Sequence, residues 1–171
     1  MAHRALTGIL LVGGASSRFG SPKALARFEG GTLAERAWRL LDEVCDERVA
    51  VGRLREGLPF PSLADEGTGP VAAIAAGLRR ASHDVAVVIP VDMPLLTVRA
   101  LMLLAEACRD AAVAQAGPLP CAVARRSLPA FEVGERRLRT VLDGLDTARV
   151  ELEDRLLANV NTAADLDTLA R

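Results

Sequence analysis

The chain has 171 residues, 50% apolar, 25% charged and 3% aromatic, with a formal charge of −1 from 21 basic and 22 acidic side chains. That length suits one globular domain spanning residues 1–171, and the balanced charge excludes a general footprint for nucleic acid or acidic membrane. Lys23 is the lone lysine among the 21 basic residues, so an ammonium has been kept where arginine is otherwise used throughout.

Leu6 to Val12 is the first apolar run, stopped by Gly13-Gly14. A helix opens at Thr32, because Thr32-Leu33-Ala34-Glu35 has the capping-box form, and Leu33, Ala37, Leu40, Leu41 and Val44 recur at helical spacing. Arg48 to Val51 reads as the second strand. Pro70, at a first helical position, starts a helix running to about Leu78. Asp84 to Val91 is apolar on both parities, as a parallel strand covered on both faces should be. Thr97 caps a helix to about Arg109, and Ala111 to Ala116 with Cys121 to Arg125 flank Gly117-Pro118 as a hairpin. Helices follow Ser127 and Gly134, Ala148 to Leu152 forms a late strand, and Thr162-Ala163-Ala164-Asp165 starts the last helix. Alternating strands and helices predict an α/β fold, a Rossmann-like three-layer sandwich with a mostly parallel sheet and one antiparallel hairpin.

The three cysteines, Cys45, Cys108 and Cys121, are odd in number and lack a short-spacing pair, which argues for free thiols in a reducing compartment. No signal-peptide pattern precedes the first strand, and no run approaches the roughly 20 apolar residues of a membrane span. A cytoplasmic location is expected, with no membrane or nucleic-acid partner. His3 and His83 stand apart from any nucleophile constellation and are read as surface residues, and Trp38 as a helix packing residue.

The stretch with most chemistry is Leu11-Val12-Gly13-Gly14-Ala15-Ser16-Ser17-Arg18-Phe19-Gly20-Ser21-Pro22-Lys23. Glycines after a strand let backbone amides approach a phosphate closely, and Arg18 and Lys23 can neutralise its charge. The spacing matches neither a P-loop, which needs Gly-Lys adjacent, nor G-x-G-x-x-G. Asp92 follows the buried strand, at the edge where open α/β sheets bind ligands, between Pro90 and Pro94. A carboxylate there can hold Mg²⁺, which bridges one or two carboxylates to substrate phosphates; it can also serve as a turn aspartate bonding its own backbone.

The order of the glycine-rich residues resembles the pyrophosphorylase-type nucleotidyltransferases, whose signature L-A-G-G-x-x-x-R-M-G-x-x-K is matched at Leu11, Gly13, Gly14, Arg18, Gly20 and Lys23. Val12 and Phe19 replace its Ala and Met. Within that superfamily, whose fold is that of the nucleotide-diphospho-sugar transferases, the chain is similar to the MobA-type molybdenum cofactor guanylyltransferases. Gly69-Pro70-Val71-Ala72-Ala73 is similar to their G-P-L-A-G, and Val91-Asp92-Met93-Pro94 to C/V-D-x-P. Gly134-Glu135-Arg136-Arg137 matches G-E-R-R, and Asn159-Val160-Asn161-Thr162 matches N-V-N-T-P up to Ala163.

The resemblance implies transfer of GMP from GTP to the terminal phosphate of molybdopterin, with Mg²⁺ at Asp92. Arg18, Lys23 and Asp92 would be catalytic. Leu11, Val12, Gly13, Gly14, Lys23, Asp65 and Asp92 would bind the nucleotide, Asp65 by a looser match in a shorter loop. Arg137, Asn159 and Asn161 would bind the acceptor, although Asn161 with Thr162 can equally cap the last helix and Arg137 can be a surface residue. Partners would be GTP, molybdopterin and, transiently, proteins of cofactor synthesis and molybdoenzyme maturation. The family often has an asparagine near the nucleoside after the second strand; this chain has Ala50 and Gly52 there, so that contact is lost or comes from elsewhere. Two other readings stay open: a molybdopterin cytidylyltransferase or sugar-phosphate nucleotidyltransferase, and a non-catalytic nucleotide-binding protein of the same fold.

Overall fold

A computed structural model describes residues 4–13, 22–53, 56–64, 69–134 and 137–169. The strands are β1 (Leu6–Leu11), β2 (Arg27–Phe28), β3 (Gly31–Thr32), β4 (Glu47–Val51), β5 (Ser62–Leu63), β6 (Val85–Pro90), β7 (Ala111–Ala114), β8 (Cys121–Ala124) and β9 (Thr147–Val150). The helices are α1 (Leu33–Val44), α2 (Pro70–Arg80), α3 (Val98–Ala107), α4 (Leu128–Phe131), α5 (Leu138–Asp143) and α6 (Ala163–Leu169).

Among the described residues, a seven-stranded sheet has the order β5-β4-β1-β6-β8-β7-β9. All neighbours are parallel except β8, which runs antiparallel to both β6 and β7. The expected hairpin is therefore part of the sheet, and the mostly parallel α/β architecture holds.

Parity along the central strands divides the core. Leu6 and Leu10 of β1 and Val85, Val87 and Ile89 of β6 face the layer containing α1 and α3. Ile9 and Leu11, with Ala86 and Val88, face α2, α4 and α5. A strand covered on both sides has no polar face, which is why β6 reads as an unbroken apolar run, Val-Ala-Val-Val-Ile-Pro. The connections β1–α1–β4 and β5–α2–β6 travel across the sheet in opposite directions. Right-handed crossovers therefore put α1 and α2 on opposite faces. The close fit of α2 on β1 needs Gly77, where a Cβ would lie 2.7 Å from Ile9 Cδ1.

Helix starts follow the sequence chemistry. Thr32 Oγ1 accepts the Glu35 N–H at 3.1 Å while Glu35 Oε2 accepts the Thr32 N–H at 2.7 Å. Thr97 Oγ1 accepts from Ala100 N at 3.3 Å. Thr162 and Asp165 repeat the reciprocal pattern, the Asp165 carboxylate accepting Thr162 N at 2.8 Å and Asn161 N at 2.7 Å.

Several boundaries move: α2 continues to Arg80, α3 stops at Ala107, and β9 begins at Thr147. β2, β3 and β5 are two-residue strands, too short to show periodicity. Trp38 does pack, stacked on Phe60 at 4.1 Å with the Arg48 guanidinium 4.6 Å over its ring. His83 departs from the surface reading. It is half-buried, and its Nε2 is enclosed with no hydrogen-bond partner among the described residues; His3 lies outside the described residues. All three cysteines are free thiols. No helix among the described residues is long and apolar enough to cross a membrane.

Candidate functional site

At the carboxyl edge of the sheet the main-chain ladder runs one residue past the strands. Val12 N donates to Val51 O at 2.9 Å, Gly52 N to Leu63 O at 2.9 Å, and Val91 N to Leu11 O at 3.3 Å. The chain goes out from β1 to β4 and β5 and returns to β6 on the other side of β1, so the loops after β1 and β6 part at this edge. That is where open α/β sheets hold ligands. A cleft of about 1040 Å³ opens there, at the upper end of the range of roughly 300–1,000 Å³ usual for ligand sites.

Lys23 and Asp92 meet at the middle of this cleft, with Lys23 Nζ 3.2 Å from Asp92 Oδ2. Their side chains are 19% and 25% exposed, so the pair is half-buried yet reachable by a ligand. Each is held by its own surroundings. Lys23 opens a one-turn 3₁₀ helix, Lys23–Leu25, anchored beneath by buried Ala24 and closed by Leu25 N donating to Pro22 O at 2.9 Å. Asp92 follows Pro90 and the buried Val91, and its carbonyl accepts Val160 N at 2.8 Å. From α1, Arg36 Nε donates to Pro94 O, which fixes the far side of the same turn.

On one side of the pair the walls are Val12, Gly13, Val51, Arg53 and the start of α2 at Gly69 and Pro70. On the other side they are the β7–β8 connection, Ala116 to Leu119, with Leu157 and Asn159. That connection is tied down by Gln115. Its side-chain amide donates to Leu152 O at 2.6 Å and accepts Leu152 N at 2.9 Å.

Of the sequence-derived candidates, Leu11, Val12, Gly13, Lys23, Asp92 and Asn159 line one cleft. Gly14, Arg18 and Asp65 lie outside the described residues. Asn161 does not line the cleft; its backbone N–H is used at the start of α6. Arg137, just before α5, is also absent from the described lining. Ala50 is 1% exposed within the core, and a Cβ on Gly52 would lie 2.5 Å from Gly13 N. Neither position can therefore offer a polar side chain to the cleft. Arg53, Gln115 and Arg36 are not among the sequence-derived candidates. Arg53, two residues past β4 at the ligand-binding edge, could have been found by position; the other two depend on long-range packing.

Three or more His, Cys, Asp or Glu side chains do not gather into a metal cage among the described residues. Asp92 instead offers a single carboxylate on the cleft wall. That donor set suits Mg²⁺, which takes one or two carboxylates and fills its remaining positions with water and phosphate oxygens.

Residues 8–153 match the family model of the MobA-like NTP transferase domain. The chain is 36% identical over 187 aligned positions to a protein of Mycobacterium tuberculosis H37Rv named probable molybdenum cofactor guanylyltransferase, covering 94% of this chain and 91% of that one. It is 34% identical to a protein of the same name from Mycobacterium marinum, over 97% of this chain and 94% of the relative. Among solved structures, it superposes on molybdopterin-guanine dinucleotide biosynthesis protein A of Archaeoglobus fulgidus with a TM-score of 0.80 at 23% identity, covering 96% of each chain. A nucleotidyl transferase from Methanothermobacter has a TM-score of 0.83 at 19% identity, covering 97% of this chain and 96% of that one. The two structural matches speak for the fold. With the family model spanning most of the strands and both curated relatives covered nearly end to end, the chain belongs to the MobA-like NTP transferases and is a nucleotidyltransferase.

Proposed function

We propose that this chain transfers GMP from GTP to the terminal phosphate of molybdopterin, releasing pyrophosphate. The observation that carries the reading is the Lys23–Asp92 pair midway along one cleft, which leaves a wall on each side for two substrates. The names of the mycobacterial relatives supply the guanine and the molybdopterin.

In this reaction an oxygen of the acceptor phosphate forms the new bond to the α-phosphorus of GTP. The bond from the α-phosphorus to the bridging oxygen breaks, and pyrophosphate leaves with that electron pair. The attacking oxygen is already an anion at neutral pH, so no protein base has to remove a proton. The protein's work is alignment and neutralisation of charge. Gly13 brings backbone close to the phosphates, and Lys23, with Arg18, balances the charge that accumulates on the departing pyrophosphate. Gly14 and Asp65 complete the nucleotide contacts. Asn159 serves the acceptor, with Asn161 and Arg137 as its further candidates. Asp92 would hold Mg²⁺, which when bound offsets phosphate charge as a Lewis acid. The site of action we assign is the cytoplasm.

The test is pyrophosphate release from purified protein with molybdopterin, Mg²⁺ and each of GTP, CTP, ATP and UTP. We expect release with GTP, loss of it with EDTA, and its return with added Mg²⁺. Preferential turnover of CTP would make the chain a cytidylyltransferase. GTP binding without release would make it a non-catalytic nucleotide-binding protein.

A further inference from the structure

We propose that Arg53 reads the base of the donor nucleotide, its guanidinium taking the paired acceptors O6 and N7 of guanine; this rests on the GTP reading above. Among the described residues lining the cleft, the charged side chains are Lys23, Arg53 and Asp92. Lys23 and Asp92 face each other at 3.2 Å. Arg53 is exposed on the wall of the cleft, and among the described residues no hydrogen bond or ion pair engages its guanidinium. Five N–H donors are thus left at one end of a ligand site.

Position gives this a direction. A Cβ at Gly52, where φ is +153°, would meet Gly13 N at 2.5 Å and the Val12 carbonyl carbon at 2.9 Å. The backbone just before Arg53 is therefore pressed against that of Gly13, and Arg53 lies on the β4 side of the cleft, with β1 between it and β6, which leads to Asp92. Its neighbours at this end are Val12, Val51, Pro70 and Ala73. They can cover the faces of a ring, and they offer no side-chain donor to its edge. Among the described residues, hydrogen-bonding selection by a side chain at this end falls to Arg53.

The fork discriminates by chemistry. Guanine presents O6 and N7 side by side, both acceptors, in a geometry that matches a guanidinium. Adenine presents N7 beside an amino donor, and cytosine presents an amino donor, so each sets N–H against N–H. A cation serving only the phosphates would not distinguish the bases.

The experiment measures dissociation constants by calorimetry for wild type, Arg53→Ala and Arg53→Lys with GTP, ITP, 7-deaza-GTP and ATP. ITP keeps O6 and N7 and lacks the 2-amino group; 7-deaza-GTP lacks the N7 acceptor. In wild type we expect GTP and ITP to bind alike and the other two to bind roughly tenfold or more weakly. In Arg53→Ala that gap closes because GTP and ITP weaken, while Arg53→Lys leaves most of the gap closed. Equal weakening of all four nucleotides in Arg53→Ala would overturn the proposal by making Arg53 a phosphate contact, and unchanged affinities would overturn it outright. Wild type that turns over another nucleotide in preference to GTP would instead overturn the functional reading on which it rests.

Discussion

Lys23 Nζ stands 3.2 Å from Asp92 Oδ2 across 69 positions of sequence, joining the turn after the glycine-rich loop to the turn after β6. Solvent reaches both side chains, so the pair adds little to stability, on the order of 1 kcal/mol or less. It is placed for ligand chemistry. Lys23→Ala should retain the wild-type melting temperature within a few degrees and lose roughly 10²–10³-fold in kcat/KM. Asp92→Ala should abolish Mg²⁺-dependent turnover at any Mg²⁺ concentration. Lys23→Arg should recover nucleotide binding better than turnover, since a planar fork does not sit as a compact ammonium does. Wild-type turnover by Asp92→Ala under saturating Mg²⁺ would remove Asp92 from the metal site.

Arg36 positions the Asp92 turn without touching the cleft centre. Its guanidinium donates to Pro94 O, pairs with Glu29 at 3.0 Å, and lies 5.4 Å over the Phe28 ring. Three attachments hold one side chain, and the turn inherits that order. Arg36→Ala should raise the Mg²⁺ concentration needed for half-maximal rate several-fold, with a smaller effect at saturating Mg²⁺. A merely structural role would lower the melting temperature and leave the Mg²⁺ dependence alone. Titrating rate against Mg²⁺ separates the two.

What the sequence disclosed, and what it withheld, follows from the range of the interactions. The unbroken apolar runs of β1 and β6 and the capping pattern at Thr32 are local, and each appears where the residues predict it. The meeting of Lys23 and Asp92 at one sheet edge has no local pattern behind it and comes from the architecture, in which strand ends and ligand edges coincide. Gln115 and Arg36 act through carbonyls at Leu152 and Pro94, and nothing in a linear pattern marks such a partner. Asn159 and Asn161 sit two positions apart in one motif, yet only Asn159 lines the cleft. Backbone bonding to Asp165 at the start of α6 engages Asn161, a distinction the motif alone does not carry.

Acid should destabilise this protein through three carboxylates. Glu35 is held below the ordinary carboxylate range chiefly by the Thr32 N–H, and Asp165 by the N–H groups of Asn161 and Thr162. At Glu47, burial pushes upward, but hydrogen bonds from Ser82 N–H and the Thr7 and Ser82 hydroxyls outweigh it and the net shift is down. A depressed native value means stability that is present above the unfolded value and lost as pH falls through the native one. Urea midpoints should therefore be flat from pH 7 to about 5 and fall below that. Glu47→Gln should start lower at neutral pH and fall less steeply. Thr32→Ala should cost about 1 kcal/mol at pH 7.

The cysteines should be slow to react in the native protein. Burial raises the Cys45 thiol to about 12 and the Cys108 thiol to about 11, and raises Cys121 further still. Thiolate is the nucleophile, so iodoacetamide at pH 7.5 should modify the folded chain far more slowly than the urea-unfolded chain. Cys108, the least buried of the three, should be modified first. Rapid native labelling at Cys121 would mean that β8 opens readily from the sheet.

Gln115 offers the most selective test of the acceptor side. Its amide closes a two-bond clamp on Leu152, at 2.6 and 2.9 Å, and so ties the β7–β8 connection to the segment leading toward Leu157 and Asn159. Both walls of that end of the cleft depend on it, whereas Gly13, Val51 and Arg53 lie at the other end. Gln115→Ala strips partners from one backbone donor and one backbone acceptor and should cost about 1–3 kcal/mol of stability. It should also raise the KM for molybdopterin while the dissociation constant for GTP stays within about twofold, because coupling falls off between sites that share no contacts. Gln115→Glu keeps the acceptor for Leu152 N but sets a carboxylate oxygen against Leu152 O and the Asp154 carboxylate, 3.4 Å from the native amide nitrogen, so it should be no milder than alanine. An equal rise in both substrate constants would show that the two ends of the cleft are not independently built.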